Sequence, residues 1–134
     1  TPNGWNEIPA GTGMRVAAFQ ISEADKRAEV TVIPLAGTAG GLLSNVNRWR
    51  GQIGLTPTDD TQLRRDLREI EVASGKALYV ELIGPGSAGD RPAILGAMIE
   101  RGSQTWFFKM TGPAELVTRQ KPAFLQFIQS VKFE

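Results

Sequence analysis

The densest run of side chains able to bind or catalyse is Asn45-Val46-Asn47-Arg48-Trp49-Arg50-Gly51-Gln52. Its two guanidinium forks and its amides suit a carboxylate or another anion, because Arg presents N–H donors in a fixed plane. On a helical wheel Trp49 falls with Leu42, Val46 and Ile53 on one apolar face. Asn45, Arg48 and Gln52 then line one flank of that face, and Asn47 and Arg50 the opposite flank. A plainer role is open to the same five residues, since amides and guanidinium groups also tie loops and helix ends to a sheet.

Gly37-Thr38-Ala39-Gly40-Gly41 precedes this run. It lacks the Gly-Lys-Ser/Thr ending of a phosphate-binding loop and the G-x-G-x-x-G spacing, so it reads as a flexible turn. Together with Arg48 and Arg50 it could still hold a small anion. Arg64, Arg65 and Arg68 interleave with Asp60, Asp66 and Glu69 at helical spacing, the pattern of a solvated mixed-charge face. A nucleic-acid stripe would need more net positive charge and exposed aromatic residues. Glu71, Glu81 and Glu100 lie in or beside predicted strands and are the carboxylates a hydrolase would use. Such chemistry requires two of them to converge in a pocket with separated pKa values.

Composition narrows the classes further. The chain has 134 residues, enough for one domain with its own core. Fifteen Lys and Arg against fourteen Asp and Glu give a formal charge of +1, which argues against a dedicated DNA-binding domain. There is no Cys, which removes disulfides, thiol catalysis and Cys-ligated metals. There is no His either, which removes the Ser-His-Asp triad and most zinc chemistry. No cofactor or metal is therefore expected. No apolar run approaches the ~18 residues of a membrane span. The chain begins at Thr1, so it is expected to be a mature or trimmed form, with any signal peptide or lipid-attachment Cys upstream.

The elements that must position these residues follow from periodicity. A lead-in strand is expected at Trp5–Pro9, then strands at Met14–Ile21 and Ala28–Leu35 as a hairpin, with Pro34 marking an edge or a bend. Leu42–Ile53 has helical spacing, stopped by Gly54. Thr56–Asp60 reads as a second helix start, with Leu63, Leu67 and Ile70 on one face and an end near Glu69. Ile70–Ala73 and Leu78–Ile83 fit a hairpin. Ala93–Glu100 and Thr105–Thr111 fit another, with Trp106, Phe108 and Met110 on one face and Phe107 on the other. Pro113 and Pro122 each suit a first helical turn, and Phe124, Phe127, Ile128 and Val131 repeat as a closing helix. The expected class is α+β. The sheet is antiparallel, or mixed, with helices on both faces.

Three segments taken together carry a resemblance: Asn45–Gln52 after the glycine-rich loop, Trp106–Pro113, and Phe124–Phe133. The set resembles uncharacterised bacterial extracytoplasmic or lipoprotein-type domains, and its order of elements is similar to the PsbP/Mog-type α/β/α sandwich. The resemblance implies a non-enzymatic accessory domain, extracytoplasmic, docking a protein partner or a membrane complex. It also implies a lipid anchor upstream of this chain. A His-based metal site of the PsbP kind is out of reach without His. The residues assigned to docking are Asn45, Asn47, Arg48, Arg50 and Gln52, with at least Arg48 or Arg50 exposed beside a concave or apolar patch.

Overall fold

Successive side chains of a strand point to opposite faces of its sheet, so Phe107-Phe108 feeds two separate clusters. Phe108 and Met110 join the larger and Phe107 the smaller. The computed structural model describes residues 5–8, 17–23, 26–36, 42–72, 75–85, 91–101 and 104–130. In chain order these form β1 (Trp5–Ile8), β2 (Ala17–Glu23), β3 (Lys26–Ala36), α1 (Leu42–Gln52), α2 (Asp60–Asp66), β4 (Arg68–Val72), β5 (Gly75–Ile83), β6 (Pro92–Arg101), β7 (Gln104–Pro113) and α3 (Ala114–Ser130). The strands make one sheet in the order β1-β2-β3-β7-β6-β5-β4, and every neighbouring pair is antiparallel. The three expected hairpins are β2–β3, β4–β5 and β6–β7, and the pairing of β3 with β7 joins the two halves. The described part of β2 reaches only to Val32 of its partner, so Pro34 lies beyond it, with its ladder against β7.

The 17-residue helix α3 covers one face. Its Leu116, Val117, Phe124 and Ile128 pack on Phe19, Val30, Leu95, Phe108 and Met110. Phe127 adds an aromatic junction, 5.3 Å from Trp5, 5.4 Å from Phe19 and 6.2 Å from Phe108 between ring centroids. The Trp5 indole N–H donates to Gln120 Oε1 at 3.0 Å, and Gln120 donates on to Glu23 at 2.8 Å. The helix runs through Pro122 without a break. Pro122 therefore sits in the interior of one helix and starts no second one.

The expected helices-on-both-faces sandwich is corrected here. The fold is dominated by its antiparallel sheet, and no pairing is parallel among the described strands. The apolar cluster of the second face lies over β5, β6 and part of β7, where Val80, Leu82, Ile94, Met98 and Phe107 gather under Trp49 and Ile53 of α1 and its exit turn, with Ile33 of β3 at its border. Over β2 and β3 the same face carries Gln20, Ser22, Arg27, Glu29 and Thr31. Among the described residues no helix residue joins β1, β2 or β3 in an apolar cluster on that side. Polar side chains at alternate strand positions hold no helix layer, because there is too little apolar surface to bury.

The second helix is also shorter than its pattern. Asp59 caps it by accepting from the Gln62 amide at 2.8 Å, but the helix ends at Asp66. Leu67 turns extended, and Arg68 enters β4 opposite Tyr79. Leu67 and Ile70 fit a helical period and a strand period alike, and pairing with β5 decides between them.

The contact that seats α1 leaves no room for a side chain beneath it. A Cβ built on Gly96 of β6 would stand 2.3 Å from Cζ3 of the Trp49 indole. Phe107 meets the same ring edge-on at 6.2 Å and 88°. Gly96→Ala is expected to destabilise the fold by about 1–3 kcal/mol, as overpacking does. Gly51→Ala, on the exposed side of α1 with nothing within 4 Å of its Cβ, should be neutral or stabilising by up to about 1 kcal/mol. Equal urea midpoints for the two variants would refute this seat. On the α3 side, hydrogen bonds from Lys26 and Arg119, each 2.8 Å, hold the Glu115 carboxyl below the usual carboxylate range. A carboxyl depressed in the folded state stabilises at neutral pH and loses that effect as pH falls through its folded value. The stability difference between wild type and Glu115→Gln should therefore be present at neutral pH and shrink toward zero well below about pH 4, as followed by urea titrations across pH.

Candidate functional site

α1 ends in a turn that its own residues dictate. Gly54 takes the left-handed φ of 81°. Its amide donates to the Gly51 carbonyl at 3.3 Å, while the Leu55 amide reaches the Arg50 carbonyl at 2.8 Å. This is a Schellman ending, in which glycine supplies the backbone conformation that side chains resist. With Val46, Trp49 and Ile53 buried against the sheet, the two polar flanks of α1 face opposite ways.

The flank of Asn47 and Arg50 is occupied by the chain itself. Asn47 donates to the Thr58 carbonyl at 3.2 Å and accepts from the Thr58 amide at 2.7 Å. Arg50 Nε donates to the Thr56 carbonyl at 2.7 Å. These bonds fasten the loop between α1 and α2. The other flank is open. Asn45 is buried and accepts from Arg48 at 2.7 Å. Arg48 is exposed, as is Gln52, which accepts from Lys109 Nζ of β7 at 3.1 Å. The five residues singled out in sequence are thus not one constellation. Arg48 and Gln52 face open space, Asn45 supports Arg48, and Asn47 and Arg50 hold a loop. Residues 37–41 lie outside the described residues.

Beside the open flank are two adjoining recesses. One, of about 210 Å³, is bounded by Arg48, Gln52, Lys109 and Thr31 over a floor of Trp49, Ile33 and Phe107. The other, of about 410 Å³, shares Thr31, Gln52 and Lys109 and continues over β3 and β2 to Arg27, Glu29 and Gln20. The first lies where α1 borders the polar half of the sheet face, and the second continues onto that half. Three cations stand against one carboxylate there, around an apolar floor. Lys109, Thr31 and Arg27 were not among the sequence candidates. Their signal was present in polar residues at positions 27, 29 and 31 of β3 and 109 and 111 of β7, all on one face.

The three strand carboxylates singled out for a hydrolase, Glu71, Glu81 and Glu100, do not come together. Glu71 and Glu81 leave opposite faces of the β4–β5 hairpin, and Glu71 and Glu100 are exposed. Glu81 is engaged by Lys121 and accepts from the Tyr79 hydroxyl at 3.2 Å. Burial first, and then the Glu81 charge, push the Tyr79 hydroxyl far up from the ordinary phenol value, so it remains a proton donor at physiological pH. Among the described residues no three acidic groups gather as a metal site. No described helix is long and apolar enough to cross a membrane.

No family model and no curated protein matches the chain. Among solved structures it is similar to PA94 from Pseudomonas aeruginosa, a protein of unknown function and suggested regulator. The TM-score is 0.58 at 10% identity, over 98% of this chain and 99% of that one. A Bacteroides thetaiotaomicron structure aligns at a TM-score of 0.44 and 11% identity, over 84% of this chain and 37% of the other. The first likeness shows a shared fold and the second carries no argument.

The division of the two flanks is testable by stability alone. Asn47→Ala removes both bonds to Thr58 and should cost about 1–3 kcal/mol. Arg48→Ala should cost less, about 0.5–1 kcal/mol, for the one bond it gives the buried Asn45. Urea unfolding of the two variants checks this. A larger loss for Arg48→Ala would make that side chain structural.

Proposed function

We propose that this chain is a non-catalytic docking domain that receives carboxylate side chains of a protein partner on the Arg48 flank of α1. The observation behind this reading is that Arg48 stands exposed at the mouth of a recess shared with Gln52 and Lys109. Its fork spends one bond on Asn45 and keeps further N–H donors. An apolar floor of Trp49, Ile33 and Phe107 inside a polar, cationic rim matches the anatomy of protein interfaces. A partner carboxylate entering there would replace solvent around Arg48 with a paired, charge-assisted contact. An extracytoplasmic setting, with a membrane-associated complex as the partner, belongs to the same reading.

A second reading is a receptor for a small anion. The 210 Å³ recess favours it, because it is sized for a compact ligand rather than a side-chain array. A ligand that binds only the folded state raises apparent stability by RT ln(1 + [L]/Kd). A thermal-shift panel of inorganic and organic anions therefore separates the readings, and a saturable shift abolished by Arg48→Glu would favour the receptor.

The docking reading predicts where a partner is caught. A zero-length carboxylate–amine crosslinker applied in the source's envelope fraction should join a partner carboxylate to Lys109, as mapped by peptide mass spectrometry. Arg48→Glu should abolish that product, and Arg64→Glu, on the exposed side of α2, should leave it intact. Products confined to other lysines, or indifferent to Arg48→Glu, would refute this docking flank.

A further inference from the structure

The sheet has a second feature that the Arg48 flank does not use. β4 pairs with β5 only from Val72↔Gly75 to Arg68↔Tyr79. β5 continues to Ile83, still paired with β6 on its other side. The Gly84 amide donates to the Pro92 carbonyl of that neighbour at 2.7 Å. In an antiparallel strand the amide and carbonyl of one residue point to the same side, and alternate residues point to alternate sides. Gly84, Leu82 and Val80 therefore address β6. Ile83, Glu81 and Tyr79 address the β4 side. Tyr79 meets Arg68, but Glu81 and Ile83 have no described strand opposite them.

A recess of about 730 Å³ runs along this open edge. Ile83 is 44% exposed and is the only large apolar side chain so exposed among the described residues. Arg50 and Arg65 border the recess from the helices on one side of the sheet, and Arg68 and Lys121 from the α3 side. Of the two carboxylates in it, Glu81 is paired with Lys121 and Asp66 accepts from Gln62 at 3.1 Å. Arg65 and Arg68 have no ion-pair partner among the described residues. Among the described residues the edge thus offers backbone donors and acceptors without a strand partner, one apolar contact and an excess of cations. An exposed edge with these properties is a template for a further strand.

We propose that the edge of β5 at Glu81–Ile83 receives an extended acidic segment of a partner protein, added as a short strand beyond the point where β4 stops. Glu81 and Ile83 each contribute one amide and one carbonyl to the added ladder. Residues of the segment opposite Ile83 share its face and are apolar. Those that alternate with them face Arg50 and Arg65 and are acidic. The recognised pattern is Glu or Asp alternating with Val or Ile. The ladder is short, so charge pairing carries much of the affinity, and binding falls as salt rises.

The test uses the whole chain, labelled with nitrogen-15, and a capped peptide of alternating Glu and Val. Titration should move or protect the Glu81 and Ile83 amides, with a Kd that Arg65→Glu raises at least tenfold. Arg65 is exposed and has no ion-pair partner among the described residues, so the variant should keep the wild-type circular dichroism. A peptide N-methylated at alternate residues keeps the charge and loses the ladder, and it should not bind. Equal binding by the N-methylated peptide or by a single-stranded oligonucleotide would reduce the edge to a cation patch and overturn the proposal. So would the absence of response at Glu81 and Ile83 up to millimolar peptide. Shifts centred on Arg48 and Lys109 instead would overturn it while favouring the docking flank of α1, so the two readings fail separately.

Discussion

The indole of Trp49 lies on Gly96, and most of what this protein can present to another molecule depends on that contact. α1 lies in no ladder and packs through few side chains. Its position is set by one large ring fitted where a strand residue lacks a side chain, with Phe107 against the ring's edge. Once the ring is seated, the rotation of the helix is decided. Arg48 and Gln52 must turn toward the bare half of the sheet, and Asn47 and Arg50 toward the loop that leads to α2. Packing on one apolar residue therefore sorts two neighbouring arginines, of the same type and two positions apart, into different roles.

The other constraint is the uneven chemistry of the sheet. One face has apolar side chains on every strand, from Trp5 of β1 to Ile70 and Val72 of β4, and takes a long helix. The opposite face changes character between β7 and β3, from Phe107 and Met98 to Thr31, Glu29 and Arg27. A helix layer can extend only as far as the apolar surface beneath it. The boundary of that surface is also the wall of the recess beside Arg48. The same unevenness gives the recess its mixed lining, because its floor belongs to the apolar half and its rim to the polar one.

Much of this was legible in the chain itself, and the exceptions have identifiable physical causes. The hairpins followed from period-two patterns bounded by turn residues, and the buried face of α1 from Val46, Trp49 and Ile53. The opposite orientation of Phe107 and Phe108 was legible for the same reason. The layering was misread because apolar positions such as Ile33 were weighed without the polar residues sharing their face. The end of α2 was misread because Leu67 and Ile70 satisfy two periods, and only pairing with β5 chooses between them. The fates of Arg48 and Arg50 were not legible. The groups that capture Arg50 and Asn47 are backbone atoms of Thr56 and Thr58, and backbone atoms leave no mark in a pattern of side chains. Lys109 was missed because its partner Gln52 lies 57 positions away.

The fastening of α1 has a consequence for motion. Every bond that anchors its polar groups to the loop lies between Asn47 and Thr58, and its seat on the sheet consists of side-chain contacts. The helix and the loop behind it can lift as a unit without breaking a single strand pair. Such a unit opens at a lower free energy than the sheet does, so its amides exchange with solvent through local excursions while those of β6 and β7 wait for global unfolding. Anything that closes on the Arg48 flank must first hold this unit down. Its grip would register as slowed exchange along a helix whose far side it never touches.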